Sequence, residues 1–574
     1  MSARSTGEGT EPGTDVLRRV AIRDLGALAA GTLAVLALVI WLLGWVADRS
    51  ATGAVGGAVD AAAGTITVAL QYEPPQLDST QTTDGTSMFV LGHVMEGLLR
   101  YGPHNRLVPG VAKSWEITRD HAVFHLRADA RWSDGGPVTA QDFVFAWRKA
   151  VDPATASQYA FIMYPINNAE AINKGKLPVT ALGVRAVDDR TLRVEFERPI
   201  AYFDKLVAAA TYLPIRRDFY ESRNGRYGAN ADDLLYDGPF ELTTWVHGAH
   251  LHLIKNPYYW DRRDIRLNGI DIPYITSDID AILNLYKDGK IALADHLDVA
   301  TIDNALAQGW AIHEFKDGYL FYTEFNERAG RPTRNYHLRK AIQLVTDPSE
   351  FVDRVMKIPG NIPGKSLFPL YLQGVRRPFR QEHPAPEWHV DVAKAREQLA
   401  QARQDLGLAR IPPLALLCDD APVASAEAEY LQDVYKRTLG LDIRIDKQIF
   451  KQRLAKSRAG DFDLVLASWG PDYMDPMTYG NLFASWNSNN RGRYDNPQLD
   501  RWVDVAQSSL DPATRMNAFA HIQQIVLDDV VIIPMYERGV VYVSDPRLKG
   551  VVRRALSPDP DYTRAYIDDR APQS

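Results

Sequence analysis

PLALLCDDAPVASAEAEYLQDVYKRTLGLDIRID, residues 413–446, is the stretch that decides the fold class. It begins with a short apolar run at 413–418, has helical periodicity over 426–439, and alternates again over 441–446 after Gly440. A strand, a helix closed by glycine and a second strand form a βαβ unit, which requires parallel strands. We therefore expect an α/β fold.

The sequence downstream continues this pattern. DFDLVLAS at 461–468 predicts another buried strand. Asp511 and Pro512 stand at the N-cap and first-turn positions of a helix expected to run to about Asp529, and VVIIPMY at 530–536 predicts the strand after it.

The upstream sequence predicts a second group of elements. TITVAL at 65–70 indicates a strand, and apolar residues at helical spacing indicate a helix over 87–99. Thr139 and Asp142 form a capping signal for an aromatic helix that Pro153 ends. Alternation in TLRVEF, at 191–196, predicts a half-buried strand.

Size and composition exclude several classes of protein. The chain has 574 residues, with 46% hydrophobic and 24% charged residues, which is typical of a globular protein of several domains. Its formal net charge of −7 comes without a long basic stripe, so we expect no nucleic-acid partner. The single cysteine, Cys418, excludes an internal disulfide and a cysteine-based metal site.

The N-terminal region predicts export. Residues 25–47 form a run without charge that would reach roughly 34 Å as a helix, and arginines precede it, which favours an uncleaved transmembrane anchor with a cytoplasmic tail at 1–24. The alternative is a cleaved signal, because Ala61–Ala63 is a small-residue cleavage pattern. Residues 48–64 read as a flexible linker.

One loop carries candidate binding chemistry. SWGPDYMDP, at 468–476, follows a predicted buried strand, where α/β proteins place ligands. A carboxylate of Asp472 or Asp475 could receive an ammonium group there, or both could only stabilise the turn.

Catalytic signatures are missing from the sequence. It contains no G-x-S-x-G, no P-loop and no H-E-x-x-H. The four histidines His93, His104, His121 and His125 do not share one helix face and are interpreted as surface or structural residues. We expect no cofactor, no metal and no enzymatic activity.

The ordered motifs resemble one protein family. They are PPQLDS near 75, EGLL at 96, VAKSW at 111, WSDGGPVTAQDF at 132, DGPFEL at 237, NPYYWD at 256, DYMDP at 472, YDNPQLD at 494, DPATR at 511 and IIPMY at 532. From 65 to 552 the chain resembles the extracytoplasmic peptide-binding proteins of ABC importers, solute-binding protein family 5, which also serve murein peptides, nickel and haem. The oligopeptide and murein-peptide binders look closest.

The resemblance implies an α/β, two-lobed periplasmic-binding-protein fold of type II, cluster C, with an extra domain. It implies lobe I at 65–95, 220–320 and 540–565, the extra domain at 96–219, and lobe II at 321–539. Because the chain crosses between lobes twice, we expect hinge closure.

The resemblance also implies the ligand contacts. Asp472 matches the acid that pairs with the peptide α-ammonium, and Thr83, Asp84 and Gly85 match the segment that offers backbone hydrogen bonds to an extended peptide. The aromatic positions that line the ligand or its side-chain pockets are Tyr159, Phe450 and Trp469.

The sequence departs from the family where the peptide carboxylate is held. Two basic positions of the oligopeptide binders are occupied here by Leu466 and the stretch 422–424, and Arg458 is offset by one from a third. The resemblance therefore does not specify the length of the ligand or the recognition of its carboxylate.

These features predict a monomeric periplasmic receptor, anchored in the inner membrane or released after signal cleavage, that binds short peptides for an ABC importer permease and its cytoplasmic ATPase. The alternatives are a receptor for a specialised cargo, such as a murein peptide, a metal chelate or an opine-like compound, and a membrane-tethered envelope signalling protein.

Overall fold

The computed structural model of the protein describes residues 57–102 and 106–570, without the side chains at 450 and 451. Within these ranges, no helix is both long and apolar enough to cross a membrane. The predicted tail at 1–24 and the predicted anchor at 25–47 lie outside the described residues.

Twenty strands are distributed along the described chain. They are β1 (Val59–Asp60), β2 (Thr65–Leu70), β3 (Leu99–Tyr101), β4 (Leu107–Pro109), β5 (Ala112–Ile117), β6 (His121–Leu126), β7 (Val184–Asp188), β8 (Thr191–Glu195), β9 (Phe240–Val246), β10 (His250–Lys255), β11 (Gly269–Ile275), β12 (Leu293–Ala294), β13 (His313–Phe325), β14 (Ile362–Pro363), β15 (Leu414–Asp419), β16 (Ile443–Gln448), β17 (Leu464–Trp469), β18 (Ile532–Ser544), β19 (Leu548–Lys549) and β20 (Tyr566–Ile567).

The α-helices of the described chain alternate with these strands. They are α1 (Gly85–Val94), α2 (Ala140–Val151), α3 (Ala169–Asn173), α4 (Phe203–Leu206), α5 (Arg217–Ser222), α6 (Ile279–Lys287), α7 (Val299–Ala307), α8 (Tyr336–Gln343), α9 (Pro348–Glu350), α10 (Phe379–Glu382), α11 (Val392–Leu406), α12 (Pro422–Leu439), α13 (Phe450–Ala459), α14 (Met477–Gly480), α15 (Pro497–Ser508) and α16 (Pro512–Asp528). A π-helical turn, Phe351–Met356, continues α9.

The largest sheet contains the predicted βαβ unit. Its strand order is β12-β18-β13-β17-β15-β16, and β14 pairs with β18. β15 is parallel to both β16 and β17, as the sequence pattern predicts, because α12 crosses over between β15 and β16. Gly440 ends α12 with φ +66°, a conformation in which glycine has no Cβ penalty. β13 and β18 are antiparallel to their neighbours, so the sheet is mixed.

Two further sheets lie earlier in the chain. A five-stranded sheet has the order β1-β2-β11-β10-β9, and a four-stranded antiparallel sheet has the order β5-β6-β8-β7. The helix α2 begins as the capping signal predicts, since Asp142 accepts hydrogen bonds from the backbone N–H of Thr139 (2.8 Å) and from its hydroxyl (3.1 Å). It ends at Val151, before Pro153.

The segment 132–147 is structural. Trp132 and Trp147 are fully buried. The indole N–H of Trp147 donates to the carbonyl of Tyr212 at 3.0 Å, so this aromatic side chain is satisfied within the core. His93 is also structural, because it is fully buried and its Nε2 accepts from the backbone N–H of Tyr562 at 3.0 Å. Burial lowers the pKa of His93.

The two longest strands of the described chain, β13 and β18, have 13 residues each. β13 and β18 pair with one another, and the register of that pairing shifts between Lys316 and Leu320. Gly318, inside this irregular stretch, has φ +79°, which favours glycine. The predicted lobe boundaries at 320/321 and 539/540 fall within these two strands.

Two predictions on element bounds are wrong. The helix predicted over 87–99 spans Gly85–Val94, and Leu99 starts β3, because the apolar run continues into a buried strand. The predicted linker extends too far, since Val59 and Asp60 pair with β2 and Ala58 donates to the carbonyl of Gly289 at 2.7 Å. Residues 57–64 thus belong to the folded body, and 48–56 lie outside the described residues.

Candidate functional site

The loop after β17 presents the candidate carboxylates. β17 ends at Trp469, and the chain turns through Gly470 and Pro471 before α14 begins at Met477. A Cβ added to Gly470 would lie 2.4 Å from Cζ of Tyr319, so only glycine lets that ring approach the backbone so closely.

Hydrogen bonds and stacking hold the loop in place. The hydroxyl of Thr478 accepts from the backbone N–H of Asp472 at 3.0 Å, and the hydroxyl of Tyr101 accepts from that of Met474 at 3.1 Å. Tyr473 stacks on Tyr202 with ring centroids 5.3 Å apart and planes 10° apart. The position of Asp472 is therefore fixed by its neighbours on both sides.

Asp475 has a structural partner. Arg515 donates to its two carboxylate oxygens at 2.9 and 2.7 Å, and both residues are buried. Such a bidentate pair satisfies the charge of Asp475 within the fold. Of the two alternatives left open by the sequence, turn stabilisation describes Asp475.

Asp472 is in a different position. It is partly buried, its Oδ1 accepts a long hydrogen bond of 3.4 Å from the hydroxyl of Tyr159, and no described lysine, arginine or histidine forms an ion pair with it. Burial raises the pKa of Asp472 from 3.8 to about 7. Asp472 thus lacks the countercharge that Asp475 has.

Asp472 lines a cavity of about 270 Å³ together with three other predicted site residues, Thr83, Gly85 and Tyr159. The other described charged residues that line this cavity form ion pairs with one another. Arg100 lies 3.3 Å from Glu96, and Arg554 bonds to Asp561. An incoming cation would therefore find its free carboxylate at Asp472.

Asp84, the remaining residue of the predicted backbone-contacting segment, has its side chain occupied. Its Oδ1 accepts from the backbone N–H of Ser87 at 2.8 Å, which makes it the N-cap of α1. Asp84 and Gly85 also line a second cavity, of about 620 Å³. Gly85 and Tyr319 are common to the linings of both cavities, so the two adjoin.

The second cavity contains a charged pair between β13 and β18. Arg538 Nε donates to Asp317 at 2.6 Å, and its guanidinium lies 4.3 Å from the ring centroid of Tyr319. All three residues line the cavity. The pair is at the register shift between the two long strands.

Two predicted aromatic site residues are not among the described residues that line either cavity. Trp469 is partly buried, its Nε1 lies 3.4 Å from the hydroxyl oxygen of Thr478, and it packs beside the core. Phe450 is the first residue of α13, and its side chain lies outside the described part of the molecule.

The positions that depart from the family pattern have structural surroundings. Leu466 is 5% exposed within β17 and belongs to the core of the largest sheet. Residues 422–424 form the first turn of α12, and Arg458 is exposed near the end of α13.

Several residues that line the cavity were not predicted from the sequence. Tyr101, Tyr319 and Arg554 lie in regions whose apolar or mixed pattern resembles an ordinary strand or loop. Only folding brings them to Asp472, since each lies far from it along the chain, so no local signal could have identified them.

Comparisons with known proteins identify the family of the chain. The family model described as "Bacterial extracellular solute-binding proteins, family 5 Middle" matches residues 106–491. The oligopeptide-binding protein OppA of Bacillus subtilis is 30% identical over 501 residues, which cover 85% of this chain and 90% of that protein.

Two solved structures share the fold over most of the chain. The substrate-binding domain of an oligopeptide ABC transporter from Bacillus anthracis is 33% identical with a TM-score of 0.74, covering 89% of this chain and 99% of that one. Listeria monocytogenes OppA bound to peptide is 29% identical with a TM-score of 0.73, covering 88% and 100%. The chain belongs to the bacterial extracellular solute-binding proteins of family 5.

Proposed function

We propose that this protein is the substrate-binding component of a peptide ABC importer, which captures short oligopeptides outside the cytoplasmic membrane and delivers them to a membrane permease. Membership of family 5 and the peptide named in the relatives' descriptions support this role. The observation that carries it is the carboxylate of Asp472, which lines a cavity without a cationic partner among the described residues.

Asp472 receives the α-ammonium group of the peptide in this proposal. An ammonium placed there would neutralise a partly buried carboxylate and form a charge-assisted hydrogen bond, which is stronger than a bond between neutral groups. The hydroxyl of Tyr159, already 3.4 Å from Asp472, supports the same end of the ligand.

The peptide backbone lies along residues 83–85. Because the carboxylate of Asp84 is occupied in capping α1, this segment would act through its backbone and not through that side chain. Main-chain hydrogen bonds do not depend on the sequence of the ligand, so the site would accept many peptides. Phe450 and Trp469 stay predicted contacts with ligand side chains.

The two-lobed architecture with an extra domain is part of the proposal, with the bounds given from the resemblance. β13 and β18 would be the two connections between the lobes, and their register shift near Gly318 would let the lobes close on the ligand. Asp317 and Arg538, which pair across these strands, would then move with the closing cleft.

Ligand length is not set by the positions that other oligopeptide binders use. Leu466 is part of the core, and 422–424 is a helix start without histidine or arginine. We therefore propose that peptides of several lengths bind. We propose no covalent chemistry there, since the described residues that line the cavity with Asp472 include no histidine, lysine or cysteine. We also propose a monomer on the periplasmic side, held by the segment 25–47 or released after cleavage.

The experiment that tests this function is identification of the natural ligand. Protein purified from its own host is denatured gently, and the released small molecules are identified by mass spectrometry, followed by calorimetry with the same compounds. A series of short peptides would support the proposal. One defined compound that is not a peptide, or no binding across several peptide libraries, would overturn it in favour of a specialised cargo or a signalling role.

A further inference from the structure

Three side chains of metal-binding type meet on the five-stranded sheet, and none of them is among the residues that line the two cavities. His250 and His252 lie on β10, and Asp271 lies on β11. Nε2 of His250 is 2.6 Å from Oδ1 of Asp271, and Nδ1 of His252 is 3.0 Å from the same oxygen. All three candidate ligand atoms lie within 4.8 Å of one another.

The strand register brings these side chains together. His250 and His252 are two residues apart on one strand and therefore project from the same face of the sheet. His252 pairs with Asp271 across the antiparallel ladder. Gly269, two residues before Asp271, has no side chain, and a Cβ there would lie 3.8 Å from Cε1 of His252. The arrangement thus follows from the backbone and not from chance contact of long, mobile side chains.

The cluster has the charge and exposure of an ion site. No described lysine or arginine forms an ion pair with Asp271, whose partners are the two imidazoles. The side chains of His250, His252 and Asp271 are 36%, 33% and 23% exposed. Solvent can therefore reach the ligand atoms and supply a further ligand.

We propose that Nε2 of His250, Nδ1 of His252 and Oδ1 of Asp271 bind a divalent transition-metal ion, with Zn²⁺ as the ion best suited. Two imidazole nitrogens and one carboxylate oxygen are ligands that zinc prefers, and a water molecule would complete a tetrahedron. With metal–ligand bonds of about 2.0–2.2 Å, tetrahedral geometry separates ligand atoms by roughly 3.3 Å. The present nitrogen–oxygen spacings of 2.6 and 3.0 Å would need to widen by roughly 0.7 and 0.3 Å to reach this geometry.

The site is independent of peptide binding. None of its three residues lines either cavity of the proposed peptide site. The ion would join β10 to β11 and would stabilise the folded state increasingly as the free ion concentration rises above its Kd, because unfolding separates the ligands.

Calorimetric titration of the metal-free protein with Zn²⁺ tests the proposal, using the parent, His252→Ala, Asp271→Asn and the control His121→Ala. His121 suits as a control, since it is another histidine on a strand and lies 2.8 Å from Asp120. We expect one ion per chain for the parent and the control, and at least about tenfold weaker binding for both site variants, as loss of one ligand from a three-residue set implies.

A second measurement guards against misfolded variants. X-ray absorption of the zinc-loaded parent should give nitrogen and oxygen ligands only, with two imidazoles, and circular dichroism should match among all four proteins. Failure of the parent to bind zinc, or equal affinity in parent and Asp271→Asn, would overturn the proposal. Neither result would bear on peptide binding.

Discussion

Two nitrogens of Arg515 donate to the two carboxylate oxygens of Asp475, at 2.9 and 2.7 Å, in a buried bidentate pair. Asp472, three residues earlier in the same loop, has no such partner among the described residues and lines the smaller cavity. The loop therefore holds two acids in different surroundings: Asp475 fixes its shape through Arg515, and Asp472 lines the cavity without an ionic partner among the described residues.

The Asp475–Arg515 pair should be essential for stability. Asp475→Ala would leave a buried guanidinium without its countercharge, and we expect a loss of about 3–5 kcal/mol in the free energy of unfolding. Denaturant titration measures it. Glu170→Ala, which breaks an exposed ion pair with Lys174, is the matched control and should not move the midpoint. Equal midpoints for Asp475→Ala and the parent would show that the pair is not structural.

Asp472 should reduce the stability of the ligand-free protein. Burial raises the pKa of Asp472 from 3.8 to about 7, so between these pH values the folded state binds more protons than the unfolded state. Its contribution to stability therefore falls as the pH rises through this window. Asp472→Asn removes the penalty, and we expect a higher unfolding midpoint than the parent at about pH 8 but not at about pH 4. A lower midpoint at the higher pH would contradict this account.

Peptide affinity should depend on pH through the same carboxylate. Below a pKa of about 7, protonation of Asp472 competes with the ligand, and we expect affinity to fall by about tenfold for each further pH unit. Above about pH 8 the peptide ammonium itself loses its proton, so affinity should be greatest between the two values. Calorimetry across this range checks the profile. The hydroxyl of Tyr159 lowers the pKa of Asp472, so Tyr159→Phe should raise that pKa. The loss of affinity on the acidic side should therefore begin at a higher pH in this variant. A flat profile would exclude Asp472 as the ammonium site.

Gly85 should separate binding from folding. A Cβ added there meets no atom within 4 Å, and the residue lines both cavities. Gly85→Leu is therefore expected to keep the unfolding midpoint, since leucine also favours the first turn of α1, and to weaken peptide binding at least about tenfold by filling space that the ligand needs. Gly57→Leu, also in open space but outside both cavity linings, is the control. Unchanged affinity in Gly85→Leu would remove residues 83–85 from the site.

Much of the fold could be predicted from local sequence. The parallel strands around α12, the capping of α2 and the Asp511–Pro512 start of α16 follow from glycine, capping residues and apolar periodicity, which act over a few residues. The end of α1 was not predictable in this way, because the apolar run continues from the helix into β3.

Only part of the candidate peptide site could be predicted from the sequence. Asp472 stood out because two acids follow a buried strand, but the distinction between Asp472 and Asp475 depends on Arg515, which lies 40 residues further along the chain. Tyr319 and Arg554 carry no local signal either, since long-range folding brings them to the cavity. The zinc site required the pairing of β10 with β11, which periodicity does not specify.

The most direct test of the central claim compares one peptide with its N-acetylated form, in the parent and in Asp472→Asn, by calorimetry. If Asp472 binds the α-ammonium, the parent should prefer the free amine by about 2–5 kcal/mol, and the variant should bind the two forms with nearly equal affinity. Circular dichroism of the variant confirms that it is folded. An undiminished preference for the free amine in Asp472→Asn would contradict the assignment of Asp472.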